Sequence, residues 1–358
     1  MNVKRFLALL LILGLLSALA ACGKTPTPAP TAAPASPASD TVEFTDDTGR
    51  TLTLPSKITS IAVTGPMSQI VVFSLAPDLL VGISNKWDPG AEDYFDPKYF
   101  NLPVLGQLYG GKGELNLEEL LKAKPQVVLD VGEAKKSVGE DLDALGAQTG
   151  IPFVHIDANT KTMGETYRKL GRLLGLEDRA AELAAYCEDT WARAEKVMAS
   201  VGDKKAKLLY LLGDEGLNVI AAGSYHAEII DFLGENLAVM DEPSSKGTGN
   251  ETDMEQLLLW DPEFIIFAHD SVAKKVGSDA TWQQLKAIKN GNYAEVPYGP
   301  YNWMGFPPSV QRYLGILWIM KTVYPQQADY DLRAEVERYF GLFYHCTLTD
   351  EQYAAIVG

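Results

Sequence analysis

The segment GQLYGGKGELNLEELL, Gly106 to Leu121, sets a glycine-rich turn ahead of a helix-like run. Gly106, Gly111 and Lys112 stand at the spacing of a phosphate-binding P-loop, in which backbone N–H groups cradle phosphates and a Ser or Thr hydroxyl binds Mg²⁺. The hydroxyl position is filled by Gly113. Asn116 with Glu119 three residues on reads as an N-cap arrangement, so the helix starts well past Lys112, whereas a P-loop helix starts at the lysine. Both departures argue against a nucleotide site. Hydrolytic chemistry is equally short of parts: there is no H-E-x-x-H, no G-x-S-x-G and no G-x-G-x-x-G after a strand. Gly223-Ser224-Tyr225-His226 puts a serine beside a histidine, but triad members are assembled from distant positions. A secreted hydrolytic or metal-dependent enzyme on an α/β scaffold remains the competing reading.

The histidines and loop aromatics are the other candidates. His155, inside FVHID, is expected on a sheet face or in the core, and His345, near the C-terminus, at the surface. His226 opens a helix and His269 closes a strand, so each can face a cleft. Tyr301 and Trp303 lie in a Gly/Pro-bounded loop and serve either a ligand or the packing of two lobes. Cys187 and Cys346 read as two free thiols or a disulfide, and neither spacing suggests a metal site.

The elements that must position these residues follow from the chain's organisation. MNVKRFLALLLILGLLSALAAC joins Lys4 and Arg5 to an apolar run shorter than the about 20 residues that span a bilayer, which is an export signal. Leu19-Ala20-Ala21-Cys22 resembles a bacterial lipobox, and residues 23–41, rich in Pro, Ala and Thr, read as a tether. The net charge of −16 argues against nucleic acid as a partner.

TVEFTDDTGRTLTLP then predicts a hairpin, and ITSIAVTG, SQIVVFSLA, LLVGIS and LEELLKAKPQVVLDVG predict strands alternating with helices, the rhythm of a parallel sheet. Residues 161–203 carry helical spacing with one break near Gly175, and strand and helix patterns return in residues 204–345, followed by a tail over 346–358. The first lobe covers 42–160. Ligands of open α/β sheets bind beyond the carboxyl ends of the strands. That rule selects Thr64, Gly65, Trp87, Gln107, Tyr109, Gly110 and Glu133 in the first lobe, and His269, Tyr301, Trp303 and Met304 in the second. Tyr225, His226 and Arg312 complete the expected ligand set.

Several motifs together resemble the helical-backbone class of substrate-binding proteins of ABC importers: the lipobox, Asn116-Leu117-Glu118 followed by LLKAKPQVVL, the long linking helix, E-Q-L-L-x-W-x-P from Glu255 to Pro262, and W-x-x-x-P-P-S-x-x-R-x-L-G from Trp303. The resemblance runs from about Val42 to Pro325. It implies an α/β fold of two Rossmann-like lobes joined by one long α-helix, Leu176 to Val201, with the ligand cleft between the lobes. It implies no catalysis and no resident cofactor, only capture of a metal complex, most simply a ferric siderophore or related iron chelate. Haem, cobalamin or an oxyanion are the alternatives, and Lys86, Lys112 and Arg312 would suit an oxyanion or a carboxylate-rich siderophore. It further implies a monomer held by lipid at Cys22 on the outer face of the cell membrane, and a permease with its ATPase as partner, met by Glu118 and Glu255. The glycine turn at Gly106 then becomes a ligand-facing wall.

Overall fold

A computed structural model describes residues 40–109, 114–269, 271–305 and 307–357. The export signal, Cys22 and most of the expected tether lie outside these residues, as do Gly110 and Lys112. The chain opens with the hairpin β1 (Thr41–Thr45) and β2 (Thr51–Pro55), so the first strand begins at the last residue expected as tether. The turn is built by Asp46, whose Oδ1 accepts from the Thr48 N–H at 3.0 Å and the Thr48 hydroxyl at 2.7 Å, while Gly49 supplies a φ of 82° that disfavours any side chain.

Three parallel strands follow, β3 (Ile61–Val63), β4 (Val127–Gly132) and β5 (Phe153–Asp157), in the order β3-β4-β5. Every residue of β4 is buried, as expected for a central strand covered on both faces. Between them run the helices α1 (Pro66–Leu75), α2 (Leu117–Ala123) and α3 (Val138–Thr149). LLVGIS does not form the expected strand. It contributes only isolated parallel bridges, Leu80 to Ile61 and Ile83 to Val104.

Two helices then pack as a hairpin, α4 (Met163–Leu174) and α5 (Glu177–Val201). Gly175, at φ 67°, ends α4 in the left-handed region that glycine tolerates best. Gly171 lets the helices touch, since a Cβ there would lie 2.4 Å from that of Ala180. Helix α5 buries Ala180, Leu183, Ala184, Cys187, Ala194, Val197 and Met198, a stripe at helical spacing. It carries the chain from the first sheet to the second over 25 residues.

The second sheet has parallel strands β6 (Lys207–Leu212), β10 (Phe264–Phe267) and β11 (Tyr293–Glu295) in the order β11-β10-β6, with β8 (Glu235–Asn236) also parallel to β6. Two short antiparallel strands, β7 (Asn218–Val219) and β9 (Asn250–Glu251), continue its edge. Its helices include α6 (Glu228–Leu233), α7 (Met254–Trp260), α8 (Arg312–Val323) and α9 (Leu332–Tyr339). The architecture is the expected α/β one, and no helix among the described residues is long and apolar enough to cross a membrane.

The C-terminal tail carries a helix. Helix α10 (Asp350–Val357) docks back, with Gln352 Nε2 donating to the Asp93 carbonyl at 2.8 Å and Ile356 buried against Gly299. Cys187 and Cys346 are both free thiols, and burial pushes the Cys346 thiol up to about 12.

Helix α8 seats the loop that carries Tyr301, Trp303 and Met304. A Cβ on Gly315 would lie 2.3 Å from the Trp303 carbonyl oxygen and 3.1 Å from its carbon, both backbone atoms that cannot swing away. Ala is normally favoured over Gly in a helix by about 1 kcal/mol, but overpacking costs about 1–3 kcal/mol. Gly315→Ala should therefore lower the urea-unfolding free energy by about 1–2 kcal/mol. An unchanged or raised value would mean that the loop is free to retreat from the helix.

Candidate functional site

The C-terminal ends of β3, β4 and β5 meet at a chain of polar groups. The Thr64 hydroxyl donates to Asp130 Oδ1, Asp130 Oδ2 lies 2.7 Å from His155 Nδ1, and His155 Nε2 lies 3.0 Å from Asp157 Oδ1. Thr64 and His155 are buried. Thr64 supports the strand ends through its hydrogen bond to Asp130, and Gly65 is half-buried at the N-cap of α1. Burial alone would lower the His155 pKa, but the carboxylates of Asp130 and Asp157 outweigh it and raise the value. The hairpin locks on to the same strand: the His155 N–H donates to Asp46 Oδ2 at 3.2 Å and the Asp157 N–H to Asp47 Oδ2 at 2.9 Å.

The glycine-rich turn is anchored by geometry that no other residue could adopt. Gly106 has φ 81°, and a Cβ on it would fall 2.0 Å from the Glu114 carbonyl oxygen, so the chain closes on itself across the loop. The helix begins at Leu117, with Asn116 Oδ1 accepting from the Glu119 N–H at 3.1 Å, five residues past Lys112. Gln107 accepts from Asn85 Nδ2 at 2.9 Å and donates to the Tyr109 carbonyl at 3.1 Å. The Tyr109 hydroxyl is committed to Asp141 Oδ2 at 2.7 Å. Trp87 departs from the expectation of a cleft wall. Its indole is buried against Phe73 and Phe95, at centroid distances of 4.9 and 5.1 Å, and its N–H donates to the Tyr99 carbonyl.

On the second lobe, Tyr225 and His226 occupy a single helical turn leading into α6. Arg312, only 1% exposed, lies behind them: Nη1 pairs with Glu228 Oε2 at 2.7 Å, Nη2 donates to the Tyr225 carbonyl at 2.8 Å, and the guanidinium sits 4.9 Å from the Tyr225 ring centre. Arg312, expected as a ligand contact, thus positions Tyr225 through its two terminal nitrogens. Glu228 also accepts from the Thr160 N–H at 3.0 Å, tying the second lobe to the end of the first. His226 lines a narrow crevice with Tyr210, Met304 and Gly305, and burial followed by the Arg312 charge pushes its pKa down to about 4. It is a neutral imidazole at physiological pH, the form that accepts hydrogen bonds or binds a metal.

The loop aromatics are packing residues. Trp303 is fully buried with its N–H donating to the Gly299 carbonyl at 3.3 Å, and Tyr301 and Met304 are buried beside it. Of the two roles expected for Tyr301 and Trp303, ligand or packing, this burial is the packing one. His269 belongs to another contact set, 3.1 Å from Glu295 Oε1 and stacked on Tyr298, whose hydroxyl reaches Asp88 of the first lobe. His345 is exposed, as expected, and pairs with the Phe73 carbonyl.

What the two lobes do bring together is Glu133 and Tyr225. Both line an open cavity of about 610 Å³ that also takes in Asp157, Asn159, Thr166 and Lys169. Tyr225 reaches across: its hydroxyl lies 3.4 Å from Met67 Sδ and 3.4 Å from the Ala158 carbonyl. Met67, Thr160 and Glu228 were not legible as site residues, because each has an ordinary local role at a helix start or strand end. The polar chain behind this cavity gives a pH signature. With its folded pKa raised, His155 stabilises the fold fully below about pH 6.5 and loses that contribution as pH rises through the folded value. The stability advantage of the wild type over His155→Gln, read by urea denaturation, should shrink from about pH 6 to about pH 9. Growth over that interval would mean a neutral imidazole.

With this geometry established, relatives can be placed. No curated protein sequence matches the chain. Among solved structures, it resembles an ABC transporter solute-binding protein from Sulfurospirillum deleyianum, 29% identical, with a TM-score of 0.80 over 88% of this chain and 98% of that one. It shares the fold of the molybdate periplasmic binding protein MolA of Haemophilus influenzae, at 20% identity and TM-score 0.65 over 86% of this chain and 99% of that one. It also shares the fold of the periplasmic catecholate-siderophore binding protein VctP of Vibrio cholerae, at 19% identity and TM-score 0.56 over 82% and 99%. Residues 61–298 match the model of one family along most of the described chain, and the protein belongs to it: the periplasmic binding proteins.

Proposed function

We propose that this protein captures a small-molecule metal complex, of the class of ferric siderophores and related iron chelates, and delivers it to an ABC permease. The cavity lined by Tyr225 and Glu133 receives the cargo, with His226 in the neighbouring crevice. The observation that carries this reading is the spending of Arg312. A bare oxyanion needs positive charge turned towards it, and both terminal nitrogens of this buried guanidinium are held by Glu228 and the Tyr225 carbonyl. Tyr225 offers the cavity an aromatic face, which suits an aromatic chelate. Cargoes of distant relatives with this fold include both molybdate and a catecholate siderophore, so the choice rests on residues and not on fold.

Metal analysis and absorbance of the purified protein, followed by titration with ferric chelates and with molybdate, test the reading. His226→Ala should weaken binding of the preferred ferric chelate at least about tenfold, roughly 1.4 kcal/mol. Tight binding of molybdate with none of the chelates would refute it.

The cleavage and lipidation of Cys22 belong to the same reading, supported by Leu19-Ala20-Ala21-Cys22 and the proline-rich stretch behind it. One acyl chain holds a membrane only marginally, so stable anchoring needs at least two. Cys22→Ala should shift the protein out of the membrane fraction on cell fractionation. Undiminished membrane retention would remove the anchor.

A further inference from the structure

The cavity of about 610 Å³ extends well past Tyr225 and Glu133. One wall is a single face of α4 and its N-cap, on which Thr162, Glu165, Thr166, Lys169 and Arg172 recur at helical spacing. The span from Thr162 to Arg172 along such a helix is about 15 Å. Tyr225 stands at the near end, its hydroxyl 3.4 Å from the carbonyl of Ala158, which precedes the helix. Arg172 stands in the last turn, at the far end.

Most polar groups along this wall are already engaged. The Thr166 hydroxyl donates to the Asp157 carbonyl at 2.9 Å, the Thr162 hydroxyl accepts from the Asn159 N–H at 3.2 Å, and Asn159 Oδ1 accepts from the Thr162 N–H at 2.9 Å. Asp47 of the hairpin holds Lys169 through Oδ1 and the Asp157 N–H through Oδ2, which fixes the lysine against the wall. The other carboxylates also have partners: Glu133 pairs with Lys135 at 2.6 Å, and Asp157 lies 3.0 Å from His155 Nε2. Arg168 turns to another side of α4, where Glu188 takes both its terminal nitrogens. Two charged groups of the cavity have no hydrogen bond or salt bridge among the described residues, the Glu165 carboxylate part-way along and the exposed Arg172 guanidinium. They are two helical turns, about 10 Å, apart. A guanidinium left in this way matches a carboxylate through parallel N–H donors. A single exposed one suits a tail that stays hydrated on its other side and does not enclose a bare oxyanion.

We propose that the far end of the cavity is an anion arm, in which Arg172 binds a carboxylate ending a peptide-like tail of the cargo, while Glu165 accepts from N–H groups of that tail. The cargo is an elongated chelate, with its metal-bearing aromatic head beside Tyr225 and its acidic tail along α4. The inference rests on the reading of this chain as a carrier of metal chelates and narrows it to chelators with a free carboxylate.

The test uses three ferric complexes, titrated calorimetrically into the full-length protein with thermal melting as the folding control: a catechol carboxamide without a tail, the same head joined to triglycine as the free acid, and that conjugate as its C-terminal amide. Three extended residues add about 10 Å, which carries the carboxylate towards the last turn of α4. The acid should bind wild type at least about fivefold more tightly than the amide, an advantage that shrinks as salt screens the exposed Arg172. Arg172→Gln should bring acid and amide within about twofold of each other. If acid and amide bind wild type equally while the tailless complex binds, the arm is overturned and the chelate reading stands. If the preference for the acid persists in Arg172→Gln, the carboxylate is held elsewhere and the assignment to Arg172 is overturned. If none of the three complexes binds, the chelate reading itself falls, and the arm with it.

Discussion

A guanidinium carried at the start of α8 and shut away from water constrains most of what the second lobe presents. Arg312 is held by Glu228 and the Tyr225 carbonyl, and Glu228 in turn holds the Thr160 N–H at the end of the first lobe. Removing one partner of such a pair strands a buried charge, at a cost of about 3–5 kcal/mol. The same set of contacts therefore fixes the pitch of α6, the ring of Tyr225 and the junction between the sheets. Tyr313, the next residue, gives its hydroxyl to the Thr160 carbonyl, so both polar groups of that peptide segment are satisfied from the second lobe.

The first lobe is organised around charge as well, but from the sheet outwards. Asp130 and Asp157 face His155 across strands β4 and β5, and Asp46 fastens the hairpin by accepting from Arg50 and from the His155 N–H. Burial would raise the Asp46 pKa, yet the hydrogen bonds from Thr48, Arg50 and His155 outweigh it and lower the value. The ends of the strands are thus rigid where Glu133 and the cavity begin. A binding protein benefits from such rigidity, because ordering costs paid on folding are not paid again on capture.

The cavity and the two capped helices lie at opposite ends of the strands. The cavity with Tyr225 and Glu133 lies at the carboxyl ends of strands, whereas α2 and α7 precede strands β4 and β10 and turn their charged and leucine-bearing faces to solvent. The helix–proline–strand unit occurs once in each lobe. Lys122 pairs with Glu118 and Glu119 in the first, and Leu259 stands at the equivalent position of the second.

Much of this was legible in residue order, because it is local. The hairpin around Asp46 to Gly49, the break at Gly175 between two helices, the long helix to Val201 and the cap at Asn116 all arise from turn chemistry and helical spacing that neighbouring residues settle among themselves. The late start of α2, which separates Gly106–Gly113 from a phosphate loop, belongs to this group. Tertiary structure alone decided which loop residues face the cleft. Trp87, Tyr301 and Trp303 stand after strands, as ligand residues do, but packing claimed them, since large aromatics bury wherever neighbouring elements leave space. Arg312 looked available for an anion until Glu228, distant in sequence, took its charge, and LLVGIS lost its strand because it is bridged at only two points. Sequence alone determined the hairpin, the caps and the break between the two long helices, because those depend on residues a few positions apart. The tertiary structure decided which polar groups remain for a ligand, because that depends on partners brought together only when the two sheets pack.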